Sequence, residues 1–208
     1  MTIYYVDPTS ITHGAGTITD PYNNIDAVSV SAGDSLLFKR GTVCNIAVSA
    51  KTFSRGNSTN QIYFGAYGTG PRPILDNPTS VGSYIINAAG RQYWTFEDIW
   101  FRNTGATIQS CVYGAAQGTT VLPGAGSIIG MIWRRCKFSG AVGAGFSHGY
   151  ENTSQVTSSG TLFEDCEFFD NGGHGLFLQG ISSDNSIKVS IPVINKEKSI
   201  KSISFKYC

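Results

Sequence analysis

The apolar positions between residues 96 and 176 recur in a fixed frame. Trp133-Arg134-Arg135-Cys136-Lys137-Phe138 aligns with Phe163-Glu164-Asp165-Cys166-Glu167-Phe168 at an offset of 30 residues, and Gly143, Gly145 and Phe146 then fall on Gly173, Gly175 and Leu176. A third copy, Phe96-Glu97-Asp98-Ile99-Trp100-Phe101, lies 37 residues before the Trp133 copy. A unit of this length that recurs with local insertions marks a solenoid. Its residues are β-formers parted by short polar turns, so the unit is a coil of strands and not a helix pair.

Residues i and i+2 of a strand share a face. Ile99/Phe101, Cys136/Phe138 and Cys166/Phe168 therefore point inward together, and Trp100, Lys137 and Glu167 point out. Parallel strands stack about 4.8 Å apart, so like side chains meet like: Phe96, Trp133 and Phe163 form one column, Phe101, Phe138 and Phe168 another. Charge supports the same register. Glu97, Arg134 and Glu164 read acid, base, acid along the stack, and so do Asp98, Arg135 and Asp165. Opposite charges across a strand pair contribute about 0.2–1 kcal/mol, whereas like charges repel. These six groups are expected to be structural ladders.

Before the repeats, residues 1–35 read as an N-terminal cap. Ile3-Tyr4-Tyr5-Val6 is a strand, a Gly/Thr-rich loop runs to Pro21, and Asn24 is placed to cap a short helix with Ile25 and Val28 on one face. Such a cap covers the open end of the first coil. Rungs follow over 36–180. The last segment, 181–208, diverges: all 25 glycines precede it, while five of the eight lysines lie within it. Ile187, Val189, Ile191 and Val193 alternate like one or two more strands, with Pro192 intruding. No closing cap is evident there, which fits a truncated product or a piece of a longer protein.

Composition narrows the partners. Fifteen basic side chains face 14 acidic ones, and the first 180 residues show no basic stripe of the kind that nucleic acid requires. No run approaches the ~18 apolar residues of a membrane span, and the start lacks the basic segment and apolar core of a secretory leader. The five cysteines (44, 111, 136, 166, 208) lack metal-ligand spacing. Cys136 and Cys166 are expected as buried neighbouring thiols, because parallel Cβ directions fit a disulfide poorly. His13, His148 and His174 share no column, so no zinc site is expected.

The pieces YYVDP (4–8), AGDSLLFKRG (32–41) and IYFGAYGTGPRPILD (62–76), with the repeated WTFEDIWFRN, IWRRCKFSG and LFEDCEFFDNGGHG, resemble the pectate-lyase-like superfamily of right-handed parallel β-helix proteins. The resemblance covers about residues 3–180. It implies an all-β, right-handed parallel β-helix and contact with carbohydrate. Members include polysaccharide lyases, some glycoside hydrolases, epimerases and phage tail spikes. Lyases of this kind use a Lys or Arg base, often beside calcium held by Asp residues; hydrolases flank the glycosidic bond with two carboxyl groups.

No complete catalytic signature of either kind is present, and calcium is implied by the resemblance alone. The best outward candidates for acid–base chemistry lie on the last full rung: Glu167, Asp170 and His174. The competing reading of Asp170-Asn171-Gly172-Gly173 is a plain turn. Trp100 offers a flat apolar face for a sugar ring, as do Tyr93, Tyr113 and Tyr150 in or near loops, and His148 with Glu151 would complete a binding site. Three functions remain open. One is a lyase or hydrolase acting on an acidic or capsular polysaccharide, and another is a non-catalytic binding module such as a tail-spike shaft, which would be a homotrimer. The third is an inactive remnant. A protein of the first two kinds works outside the cell or on a virion.

Overall fold

The computed structural model describes residues 1–26, 28–46, 51–78, 84–107, 109–114, 128–148, 159–179, 188–190 and 203–206. Among the described residues seventeen short strands stack into three parallel sheets, and from Ile62 to Gln179 the chain visits the three in turn. The first sheet runs β1 (Ile3–Val6), β2 (Ser35–Lys39), β4 (Ile62–Tyr67), β7 (Trp94–Glu97), β10 (Ile132–Arg134), β13 (Leu162–Glu164) and β16 (Lys188–Ser190). The second runs β3 (Val43–Asn45), β5 (Ile74–Asp76), β8 (Trp100–Arg102), β11 (Lys137–Ser139) and β14 (Glu167–Phe169). The third runs β6 (Tyr84–Asn87), β9 (Ser110–Tyr113), β12 (Ala144–His148), β15 (His174–Gln179) and β17 (Ile203–Lys206). This is the parallel β-helix expected from the repeat. β16 and β17 continue the first and third sheets past residue 180.

The register matches the sequence alignment residue for residue. Trp133 pairs with Phe96 and Phe163, Phe138 with Phe101 and Phe168, and Phe146 with Leu176. The aromatic columns stack nearly flat. Phe64, which extends the first column upward, lies 4.3 Å from Phe96, which lies 4.5 Å from Trp133; Phe138 sits 5.2 Å from Phe101 and 4.8 Å from Phe168. All of these rings are buried. Offset stacking adds about 0.5–1.5 kcal/mol per pair beyond the area removed from water. Cys136 and Cys166 are buried free thiols, as expected.

Each repeat block is two strands rather than one. Asp98, Arg135 and Asp165 adopt left-handed backbone (φ 59°, 51° and 53°) and turn the chain from the first sheet into the second. That conformation costs an L-residue about 1–2 kcal/mol. The bend explains a spacing that a continuous strand cannot: Phe96 and Ile99 are three apart, yet both are buried. Between the second and third sheets, Gly140 (φ 80°) makes the corresponding corner, where a Cβ would lie 2.1 Å from the Asn103 carbonyl oxygen.

The helix expected in the N-terminal segment is not seen among the described residues. Asn24 does act as a local cap, its Oδ1 accepting from Asp26 N at 3.1 Å, and Val28 N donates to Ile25 O across one turn. No helix occurs among the described residues. One turn fixes several dihedrals for one hydrogen bond, so such a short helix does not sustain itself. Ile25 and Val28 are nevertheless buried. Lys51 ties this segment to the first rung by donating to the Asp26 and Val28 carbonyls at 2.9 and 2.8 Å. The outer edge of β1 is covered by residues 16–22, with Tyr5 N donating to Gly16 O and Tyr22 N to Tyr5 O, both at 2.9 Å. An edge so paired cannot template another strand.

Candidate functional site

Strand alternation turns two columns of side chains out from the second sheet. Trp100, Lys137 and Glu167 form one; Asp76, Arg102, Ser139 and Phe169 form the other. Trp100 is only half-buried, and its indole Nε1–H donates to Ser139 Oγ at 2.8 Å, which fixes the ring across β11. Phe169 lies 5.8 Å from the Trp100 ring. The Arg102 guanidinium sits over Trp100 at 5.6 Å and the Lys137 ammonium over Phe169 at 5.9 Å. The result is an aromatic surface edged by cations, spread over three rungs.

Every cation on this face has a carboxylate. Arg102 pairs with Asp76 at 2.7 Å, Lys137 with Glu167 at 2.9 Å, and Arg72 reaches the same Glu167 at 3.2 Å. Partial burial alone would raise the Glu167 pKa, but hydrogen bonds from Lys137 and Arg72, with their charges, outweigh it and hold the group below the ordinary glutamate value. Glu167 is thus kept ionised. Asp98 behaves likewise: burial opposes ionisation, and hydrogen bonds from Arg135 at 3.0 Å and Arg40 at 2.7 Å prevail.

The ladder columns are realised unevenly. Arg134 bridges Glu164 and, at 4.0 Å, Glu97; Arg135 bridges Asp98 and Glu97. Asp165 stays exposed and outside these pairs, because Arg135 turns toward the preceding rung.

Asp170 is exposed at φ 52°, in a turn pinned to the rung before it by Asn171 Nδ2 donating to the Phe138 carbonyl at 3.2 Å. His174 opens β15, half-buried, with its ring 5.2 Å from Phe177. Glu167, Asp170 and His174 therefore follow one another around a single rung, across the corner between the second and third sheets. Glu167 spends its hydrogen bonds on Lys137 and Arg72. His148 is 1% exposed, with Nδ1 2.7 Å from the Gly114 carbonyl oxygen, so it meets the core and not a ligand surface. Glu151 and Tyr150 lie outside the described residues. Tyr113 stacks on Tyr84 at 4.1 Å on the outside of the third sheet.

Among the described residues no three His, Cys, Asp or Glu side chains converge on a point where a metal would sit. The acids nearest the candidate face are taken up by Arg and Lys, so this arrangement does not fit a calcium cradle. Arg72, Arg102, Ser139 and Phe169 escaped the sequence reading. Aligning Ile74-Leu75-Asp76 with Trp100-Phe101-Arg102 would have exposed the Asp76–Arg102 pair, since these segments are in register.

No family model matches the chain, and no curated protein matches it in sequence. Solved structures share its fold, among them a rhamnogalacturonan lyase (TM-score 0.58, 15% identity, 99% of this chain and 62% of that one). Pectate lyase Pel9A superimposes with TM-score 0.51 at 16% identity, over 92% of this chain and 62% of that one. A GH136 lacto-N-biosidase from Eubacterium ramulus gives 0.54 at 17% identity, over 78% of this chain and 34% of that one. The chain thus spans from 34% to 62% of the length of these proteins. At such identities the likeness is one of fold: a parallel β-helix.

Proposed function

We propose that this β-helix contacts polysaccharide through the outer face of its second sheet, and that it acts on an acidic or capsular polymer in the manner of a lyase. The observation that carries the reading is the Trp100–Phe169 surface, 5.8 Å between rings and braced by Ser139, Arg102 and Lys137. Flat aromatic area costs little entropy to present and suits the apolar face of a sugar ring. The surface extends over three parallel rungs, along which a polymer would lie. The structural neighbours include proteins named as rhamnogalacturonan lyase and pectate lyase, which agrees with carbohydrate work.

In the catalytic form of the proposal, Glu167, Asp170 and His174 share the acid–base work. Glu167, held ionised by Lys137 and Arg72, accepts a proton and does not begin as a donor. Asp170, exposed in its turn, and His174, on the next strand, are the remaining groups for transfer to the leaving oxygen. One observation favours a second reading, a non-catalytic binding module of tail-spike type: Glu167 is fully engaged in structural ion pairs. In either form the protein works outside the cell or on a virion.

The two separate in a single assay. The protein is incubated with uronate-containing and capsular polysaccharides, with and without calcium, while unsaturated-sugar absorbance and reducing ends are followed. A lyase gives both signals, a hydrolase only reducing ends, and a binding module neither while still retaining polymer in a pull-down. If cleavage occurs, Glu167→Gln should lower the rate by about 10²–10⁴-fold; full activity in Glu167→Gln, Asp170→Asn and His174→Ala alike would place the chemistry elsewhere. Absence of both cleavage and retention would overturn the proposal in favour of an inactive remnant.

A further inference from the structure

Asp76 lies on the outer face of β5 yet is only 2% exposed, because its neighbours close over it. Thr104 donates to its carboxylate from N at 3.1 Å and from Oγ1 at 3.0 Å. Arg102, its partner on the next rung, donates to Oδ2 from Nε at 3.1 Å and from Nη2 at 2.7 Å. One edge of the guanidinium is thereby pinned. The group is held 5.6 Å from the Trp100 ring, which Ser139 Oγ fixes from the following rung. The remaining nitrogen, Nη1, has no partner among the described residues and is not enclosed by protein. The Arg102 side chain keeps 29% of its area open.

A guanidinium presents its N–H donors in a rigid fork. Asp76 takes up one edge and balances the charge, so the free edge keeps its donors without a net charge to offer. An incoming anion gains little there, since the Asp76 carboxylate lies behind the guanidinium and opposes it. A donor edge beside an indole suits a ring that is apolar on one face and hydroxylated at its rim. We infer that Arg102 is the specificity-determining residue of this face, donating from Nη1 to a sugar hydroxyl beside Trp100, and that Asp76 is its positioning residue. A uronate polymer is then gripped here by its hydroxyls and not by its charge. This rests on the polysaccharide reading above and adds which part of the sugar the face reads.

The test measures retention of the full chain on the polysaccharide panel above. Each uronate-containing polymer is used native and after reduction of its carboxyl groups to alcohols, which keeps the hydroxyls and removes the charge. Wild-type affinities for the two forms should agree within about threefold, at low salt and in about 1 M NaCl alike, where surface charge is screened. Arg102→Gln should weaken retention of both forms about tenfold. Asp76→Asn, which frees the Arg102 charge, should create a preference for the native polymer that salt removes. Equal weakening of both forms in Asp76→Asn, as a merely structural role would give, overturns the positioning assignment. If Asp76→Asn fails to fold, Arg102→Gln carries the comparison. Retention that Arg102→Gln leaves unchanged, or a wild-type preference for the native polymer that salt abolishes, overturns the inference and leaves the polysaccharide reading standing. Retention of no polymer in the panel overturns both.

Discussion

A buried imidazole makes His148 a reporter of the core. Burial pulls its pKa from 6.5 down to about 4, against the opposing hydrogen bond from its Nδ1 to the Gly114 carbonyl oxygen, so the folded protein keeps this ring neutral. The unfolded chain takes up its proton near pH 6.5 while the folded one resists until about 4. The contribution of a neutral His148 is therefore complete above pH 6.5 and is lost as pH falls toward 4, amounting to about 3 kcal/mol over that window. Urea unfolding between pH 7 and pH 4 should show this decline, and His148→Gln should flatten it; an unchanged slope would contradict the assignment. Glu167 and Asp98, whose folded pKa values are lowered, lose their contributions only at more acid pH. Phe138 makes a simpler claim. Its ring lies between Phe101 and Phe168 with no solvent exposure, so Phe138→Ala should cost about 3–5 kcal/mol in denaturant unfolding. A loss below 1 kcal/mol would mean that the column is not packed as described.

At the level of elements, the left-handed corner sets the cross-section of the coil. Arg135 occupies a conformation that favours glycine, and its ion pairs with Glu97 and Asp98 compensate for the strain. Arg135→Glu would remove both pairs and add a third acid between Asp98 and Asp165. We expect lower stability at low salt with partial recovery in 1 M NaCl, read as a salt-dependent unfolding midpoint. Indifference to ionic strength would contradict the ladder. The inward columns were legible beforehand because Cys136/Phe138 and Cys166/Phe168 obey period two and repeat at a constant offset. The corner was less so, since acid or base at 98, 135 and 165 reads equally well as an outward strand position. Its signature was the three-residue step from Phe96 to Ile99. The cap helix failed for another reason: Ile25 and Val28 are spaced for a helix, but apolar spacing over one turn cannot separate a helix from a tight bend. Arg72 meeting Glu167 across 95 residues of sequence depends on side-chain reach over several rungs, which no local pattern encodes.

On the scale of the whole molecule, the stack converts a sequence repeat into a surface repeat. Three sheets carry three outer faces. The face of the second holds the aromatic surface. Only one tryptophan is placed to meet a polymer: Trp94 and Trp133 are sealed in the core, whereas Trp100 is half-exposed on the second sheet. Intrinsic tryptophan fluorescence therefore reads the proposed binding face directly. Adding a polysaccharide that the protein retains in a pull-down should shift or quench the emission in a saturable way, and Trp100→Phe should abolish that change. Retention of the polymer with unchanged wild-type fluorescence, or with the same change in Trp100→Phe, would contradict binding at this face.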